Sequence, residues 1–168
     1  MHFRKSVQRD MDTIMNMIKQ ARAYFKEKGI DQWQDGYPDI NIISDDIKNG
    51  ESYVLENDGC IVATTMVSFK GEKSYEFVYE GKWISDKKYA AIHRIAVDNT
   101  YRGLGLSTEM IKHIEELCLQ KNVTSIKVDT HEANIPMQKV LKKNEFQFCG
   151  FIYLEDESKR LAYEKVLT

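Results

Sequence analysis

The sequence predicts an α/β fold built on a mixed sheet. Apolar residues recur at strand and helix spacing in the order β-α-α-β-β-β-α-β-α-β-β, which interleaves the two element types in one chain. Asn57-Asp58-Gly59, a strong turn signal, separates two strand-like runs and predicts a hairpin. An apolar run over residues 89–97 leads into a glycine-rich turn that opens a helical pattern.

Each element has its own reason. Residues 3–7 alternate weakly and read as a strand. Met11, Ile14, Ile18, Ala21 and Phe25 fall on one helical face, so 10–28 is an amphipathic helix ended by Gly29. A shorter helix over 39–48 stops at Gly50, and the hairpin strands are 52–56 and 60–69. Residues 75–83 fit an extra strand or a loop, with Gly71 and Gly81 marking bends. Met110, Ile111, Ile114, Leu117 and Cys118 give the helix over 104–121 its apolar face. A strand at 125–130, a helix at 135–144 and two antiparallel strands at 146–154 and 159–166 complete the chain. Pro38 and Pro136, the two prolines, each sit near a helix start.

Composition narrows the function classes. The 168 residues are 42% hydrophobic and 30% charged, without a repeat, low-complexity tract or linker, so residues 1–168 read as a single soluble domain. A net charge of −2 argues against a dedicated nucleic-acid partner. No apolar run is long enough to span a bilayer, and Met1-His2-Phe3-Arg4-Lys5 is not followed by the apolar core of a secretory signal. Cys60, Cys118 and Cys149 are odd in number and far apart, which suggests neither a disulfide framework nor a zinc site. A cytoplasmic location and no membrane association are expected.

The stretch Tyr101-Arg102-Gly103-Leu104-Gly105-Leu106-Ser107 carries the most chemical information. Glycines let a ligand approach the backbone, and the N–H groups at a helix start have no intrahelical acceptor, so they favour an anion. A phosphate or pyrophosphate site is the physical expectation; a plain flexible helix start is the alternative. The turn has no Gly-Lys-Ser/Thr and lacks the third glycine of a dinucleotide fingerprint, so it belongs to neither of those phosphate loops.

Arg102-Gly103-Leu104-Gly105-Leu106-Ser107 resembles the Arg/Gln-x-x-Gly-x-Gly/Ala signature of the GNAT superfamily of N-acetyltransferases, with Ser107 in place of the last small residue. Val128-Asp129-Thr130-His131-Glu132-Ala133-Asn134, the helix from Pro136 and the strand opened by Phe146 follow in the order of that family, so the resemblance covers the whole chain. It implies a mixed, mostly antiparallel twisted sheet flanked by helices. It further implies acetyl-CoA as co-substrate, with the pyrophosphate on the amides of Arg102, Gly103, Leu104, Gly105, Leu106 and Ser107. The pantetheine arm would lie along the backbone of Ile95, Ala96 and Val97, and Asn134 would complete the cofactor site. A homodimer is compatible with the resemblance.

Acetyl transfer to an amine requires a neutral nucleophile, and a lysine-like amine has a pKa near ~10.4, so a base or a desolvating pocket must remove its proton. The resemblance implies a backbone N–H around residues 95–97 for the oxyanion. It also implies a tyrosine acid in the helix after Asn134, at the position that Leu141 occupies; leucine cannot donate a proton. His93 is the candidate catalytic base, because on a regular strand it shares a face with Ile95. His131, Asp129 and Glu56 are weaker candidates, and each has an ordinary structural reading as a packed or solvated side chain. His2 and His113 are expected to be exposed and uninvolved. No His, Cys or acidic cluster has metal-ligand spacing, so no metal is expected.

On the acceptor side, Trp33 and Tyr37 lie between the first two helices, flanked by Asp31 and Asp35. Such a loop suits a cationic amine by cation–π and charge attraction, or serves only as a loop pinned by Trp33. Residues 70–88 fit an acceptor wall, a dimer contact or an exposed hairpin. Lys142 and Lys143 read as a CoA phosphate contact or as a solvated face. The expected function is an N-acetyltransferase that moves acetyl from acetyl-CoA to a primary amine of a small molecule or peptide by direct attack in a ternary complex. A non-catalytic acyl-CoA sensor is the alternative, which the Leu141 position raises.

Overall fold

A computed structural model describes residues 1–168. Seven strands, β1 (His2–Lys5), β2 (Ser52–Asn57), β3 (Cys60–Ser68), β4 (Ala90–Val97), β5 (Ser125–Thr130), β6 (Gln147–Tyr153) and β7 (Lys159–Val166), form one sheet in the order β1-β2-β3-β4-β5-β7-β6. The helices are α1 (Met11–Glu27), α2 (Ile40–Lys48), α3 (Leu106–Gln120) and α4 (Ile135–Lys143). This is the element order predicted from the sequence. β4 lies parallel to β5, while the β1–β2, β2–β3, β5–β7 and β6–β7 ladders are antiparallel.

The chain divides into two compact units, Met1–Val67 with His93–His113, and Ser68–Ile92 with Ile114–Thr168. In the first, Met11, Ile14, Met17 and Ile18 place the apolar face of α1 against Ile43 of α2, Val54 of β2 and Ala96 of β4. Each such side chain, fully buried, contributes roughly 1.5–3 kcal/mol. The helix starts after a single 3-10 turn, where the Asp10 carboxylate accepts the Val7 N–H at 2.8 Å and Arg4 Nη1 at 2.7 Å. Asp39 caps α2 by accepting the Ile42 N–H at 2.9 Å. His113, expected to be exposed, is instead half-buried and stacks on Phe3 with ring centroids 5.4 Å apart.

In the second unit, Tyr75, Ala91, Ile152 and Ala162 form the core, with Trp83 and Tyr89 packed on it. Residues 75–83 are not a strand. They follow a 3-10 turn at Lys73–Tyr75 and touch the sheet through one isolated bridge, Tyr79 to Phe151. Two glycines make this close approach possible. A Cβ on Gly81 would lie 1.9 Å from the Cys149 carbonyl oxygen, and one on Gly150 would lie 2.5 Å from the Tyr79 carbonyl oxygen. The segment is therefore docked on the bulge of β6 rather than projecting as a hairpin.

Candidate active site

The glycine-rich turn lies in the first unit. α3 begins at Leu106, two residues later than the apolar pattern suggests, because Gly103 and Gly105 hold left-handed φ values of 79° and 74°. The N–H groups of Gly103, Leu104, Gly105, Leu106 and Ser107 donate to no protein acceptor, and a Cβ on either glycine would meet nothing within 4 Å. Five successive amides at a helix N-terminus thus lack an acceptor within the chain, beside two glycines that nothing covers, which suits the pyrophosphate of a CoA thioester. The approach to the turn is fixed. The Asp98 carboxylate accepts the Thr100 N–H at 2.9 Å, which lowers its pKa, and Gln20 of α1 accepts the Asn99 N–H at 2.7 Å. The Arg102 guanidinium lies 4.9 Å over the Tyr24 ring.

β4 carries a feature that the sequence did not disclose. Arg94 holds φ at 52°, a left-handed conformation in the middle of a strand. The expected shared face of His93 and Ile95 assumed regular alternation, and Arg94 interrupts it between them. The Arg94 side chain turns to α2, where Nε and Nη2 each reach an Asp46 carboxylate oxygen at 2.8 Å. Its Nη1 donates to the Tyr37 hydroxyl. Burial works against the Arg94 charge, but the Tyr37 and Asp46 oxygens outweigh it and raise the pKa. For Asp46, burial is the larger effect and holds the carboxyl above its usual range despite Arg94. Both side chains border a small recess with Ser52, Thr64, Thr65 and Met66.

The loop between α1 and α2 is pinned at two arginines. Arg22 donates to the Trp33 carbonyl at 3.0 Å and to the Pro38 carbonyl at 2.9 Å, and Arg94 holds Tyr37. Trp33 packs edge-on against Phe25 and on the α1 core, so its indole anchors the loop. Tyr37 is the more exposed of the two, and its ring lies 5.8 Å from the Arg94 guanidinium. His93 is half-buried, and its carbonyl accepts the Thr65 hydroxyl at 3.3 Å. Glu56 is engaged by Arg4 at 2.9 Å, which fastens β1 to β2.

In the second unit, the register of β4 on β5 ends at the pair Ile92–Val128, and Asp129 is the next residue of β5. The Tyr75 hydroxyl donates to Asp129 Oδ1 at 2.5 Å, and Thr130 leaves a buried hydroxyl without a protein partner. His131 Nδ1 accepts the Ala133 N–H at 3.0 Å, so this histidine shapes the turn into α4. Asn134 is the helix cap, its Oδ1 accepting the Met137 N–H at 3.2 Å. Leu141 is only 2% exposed and packs in the core, while Lys142 and Lys143 face solvent in the last turn of α4. No group of three or more His, Cys, Asp or Glu side chains is arranged to hold a metal. No helix is long and apolar enough to cross a membrane.

Comparison with known proteins bears on the same elements. Residues 16–146 match the model of the Acetyltransferase (GNAT) family. The chain belongs to the GNAT acetyltransferase family. A GNAT-family acetyltransferase from Streptococcus agalactiae 2603 superposes with a TM-score of 0.92 at 38% identity, covering 99% of this chain and 95% of that one. One from Listeria monocytogenes 4b F2365 gives a TM-score of 0.76 at 24% identity over 99% and 94% of the two chains, a likeness of fold. Among curated proteins, the S-alkylcysteine N-acetyltransferase of Bacillus subtilis is 24% identical over 118 residues, 70% of this chain and 61% of that enzyme's length. Family membership supports acetyl transfer by this chain, with the acetyl-CoA use typical of the family.

The glycine turn before α3 and the place of Asn134 before α4 were legible in the sequence, while Arg94, Asp46 and Tyr75 were not. Asp46 reads as one more polar residue of an amphipathic helix. Arg94 interrupts an otherwise apolar strand, Ala-Ala-Ile-His-Arg-Ile-Ala-Val, and that interruption was the available signal.

Proposed function

We propose that residues 1–168 form an acetyl-CoA-dependent N-acetyltransferase domain that acylates a primary amine of a small molecule or peptide by direct attack in a ternary complex. The observation that carries this reading is the run of unpartnered amides from Gly103 to Ser107 at the end of the β4 connection. Bound acetyl-CoA supplies an activated acyl group as a thioester. The chain's own part is to hold its pyrophosphate on the amides 103–107 with Arg102 alongside, and to offer the N–H groups of Ile95, Ala96 and Val97 to the arm and the developing oxyanion. Asn134 is retained as a cofactor-side residue. His93 is the proposed base, and Trp33 and Tyr37 the proposed border of the acceptor. The name of the Bacillus subtilis relative supports an amino-acid amine within this substrate class.

One observation favours a second reading. Leu141, where the family resemblance implies a tyrosine acid, is buried and aliphatic, which suits an acyl-CoA sensor. A thiolate with a reference pKa near ~8.5 leaves without much assistance, so the missing acid does not preclude turnover. Measuring CoA release from acetyl-CoA with S-methylcysteine, spermidine and a tripeptide bearing a free N-terminus decides between them. Amine-dependent release supports the transferase. Tight CoA binding with no release for any amine supports the sensor.

A further inference from the structure

The docked segment 68–92 directs one buried hydroxyl at one carboxylate. Tyr75 is 3% exposed, its ring packed with Trp83 and Tyr89, and its hydroxyl reaches Asp129 Oδ1 at 2.5 Å. Burial and the Asp129 charge both hold the Tyr75 pKa well above its ordinary value, so the phenol is a proton donor throughout the working range. Asp129 itself is half-buried. Its Oδ2 accepts no protein donor, and no Lys, Arg or His nitrogen lies within 4.0 Å of it. The nearest basic residue along the strand, Lys127, is engaged elsewhere, with Nζ 4.3 Å from the Trp83 ring, 4.2 Å from the Tyr89 ring and 3.9 Å from Glu164.

A half-buried carboxylate that is aimed by a neutral donor and has no cationic partner is an incomplete arrangement. Its position is equally specific, since Asp129 is the first residue of β5 past the β4 ladder, near the carboxyl end of the strand. Ligands of open α/β sheets bind at such strand ends. We propose that Asp129 Oδ2 receives the ammonium group of the amine acceptor, and that Tyr75 is the positioning residue that aims it. This rests on the transferase reading and adds to it a required positive charge on the acceptor.

The test is steady-state kinetics with acetyl-CoA and either S-methylcysteine or spermidine, alongside calorimetric titration of CoA. Asp129→Asn is expected to raise the KM for the amine at least tenfold and leave the CoA Kd within twofold. Tyr75→Phe, which keeps the ring packing, is expected to raise that KM about threefold, and Asp129→Glu to restore part of the loss. Adding Tyr75→Phe to Asp129→Asn should cost nothing further, which a merely structural tyrosine would not show. Should Asp129→Asn fail to fold, Tyr75→Phe carries the test. Wild-type turnover with the amine KM of Asp129→Asn, or of Tyr75→Phe where it alone folds, unchanged would overturn this assignment alone. Absence of CoA release from the wild type with every amine would overturn the transferase reading and this assignment together.

Discussion

Two buried ion pairs hold the two halves of this chain's functional surroundings, and they are built differently. Arg94 and Asp46 neutralise each other directly through two 2.8 Å contacts, and Arg94 also donates to the Tyr37 hydroxyl. Lys127 and Glu164 stand 3.9 Å apart, and each is stabilised mainly by other groups. Glu164 accepts the N–H groups of Ile84 at 2.6 Å and Ser85 at 3.0 Å and the Ser125 hydroxyl at 2.8 Å, while Lys127 lies against two aromatic faces. The first pair fixes the strained Arg94 backbone and, through Tyr37, the loop between α1 and α2. The second fixes the segment that delivers Tyr75. A pair whose members depend on each other fails when either is lost; a pair with separate supports fails at whichever member has more dependants.

The largest effect is expected from Glu164→Ala. It leaves the buried Ser125 hydroxyl, the buried Lys127 charge and two part-buried N–H groups without their acceptor, at about 1–3 kcal/mol for each unsatisfied group. Urea denaturation should show a loss of at least ~4 kcal/mol, the low side of that sum. Cys149, whose thiol burial and Glu164 push up to about 11, should be silent to a thiol reagent at pH 8 in the wild type and become reactive in this variant. If Cys149 stays silent, the segment is held by something other than Glu164.

Arg94→Gln is next, at ~3 kcal/mol near neutral pH, because it leaves a buried carboxylate unpaired. The sign of its pH dependence follows from Asp46. A carboxyl whose folded pKa lies above its unfolded value binds its proton more tightly in the fold. Its contribution to stability is therefore greatest below about 3.8 and declines as pH rises through the raised value. Removing Arg94 removes the contacts that lower that pKa, so the decline extends further upward. The gap between wild type and variant should widen from pH 4 to pH 7; a constant gap would contradict the account. Lys127→Met should cost less, about 1–2 kcal/mol, since methionine refills the space between the rings and Glu164 keeps three donors. A cost equal to that of Arg94→Gln would erase the distinction between the pairs.

The contrast also marks where the sequence stops being legible. Periodicity, with the Asn57-Asp58-Gly59 turn signal and the glycines that end helices, located the seven strands and four helices, because these are one-dimensional signals. The turn at 102–107 was readable for the same kind of reason, its chemistry lying in consecutive residues. Glu164 was not, since Lys-Arg-Leu-Ala-Tyr-Glu-Lys-Val alternates only weakly and nothing local says that its glutamate is fully buried. The left-handed Arg94 was not, because a non-glycine residue with positive φ follows from its long-range contacts with Asp46 and Tyr37. Nor was the docking of residues 70–88, which depends on Gly81 and Gly150 meeting across 69 positions of sequence. The expected shared face of His93 and Ile95 met the same limit, because the left-handed Arg94 between them interrupts regular alternation.

The central claim is that the amides from Gly103 to Ser107 bind the CoA pyrophosphate. Amide NMR of the wild-type chain, titrated with CoA, tests it without altering a residue. The account predicts saturable shifts concentrated at Gly103, Leu104, Gly105, Leu106 and Ser107 and at Ile95–Val97, together with slowed hydrogen exchange at the turn. Saturating CoA that leaves those resonances unmoved, or shifts confined to other parts of the chain, would contradict it.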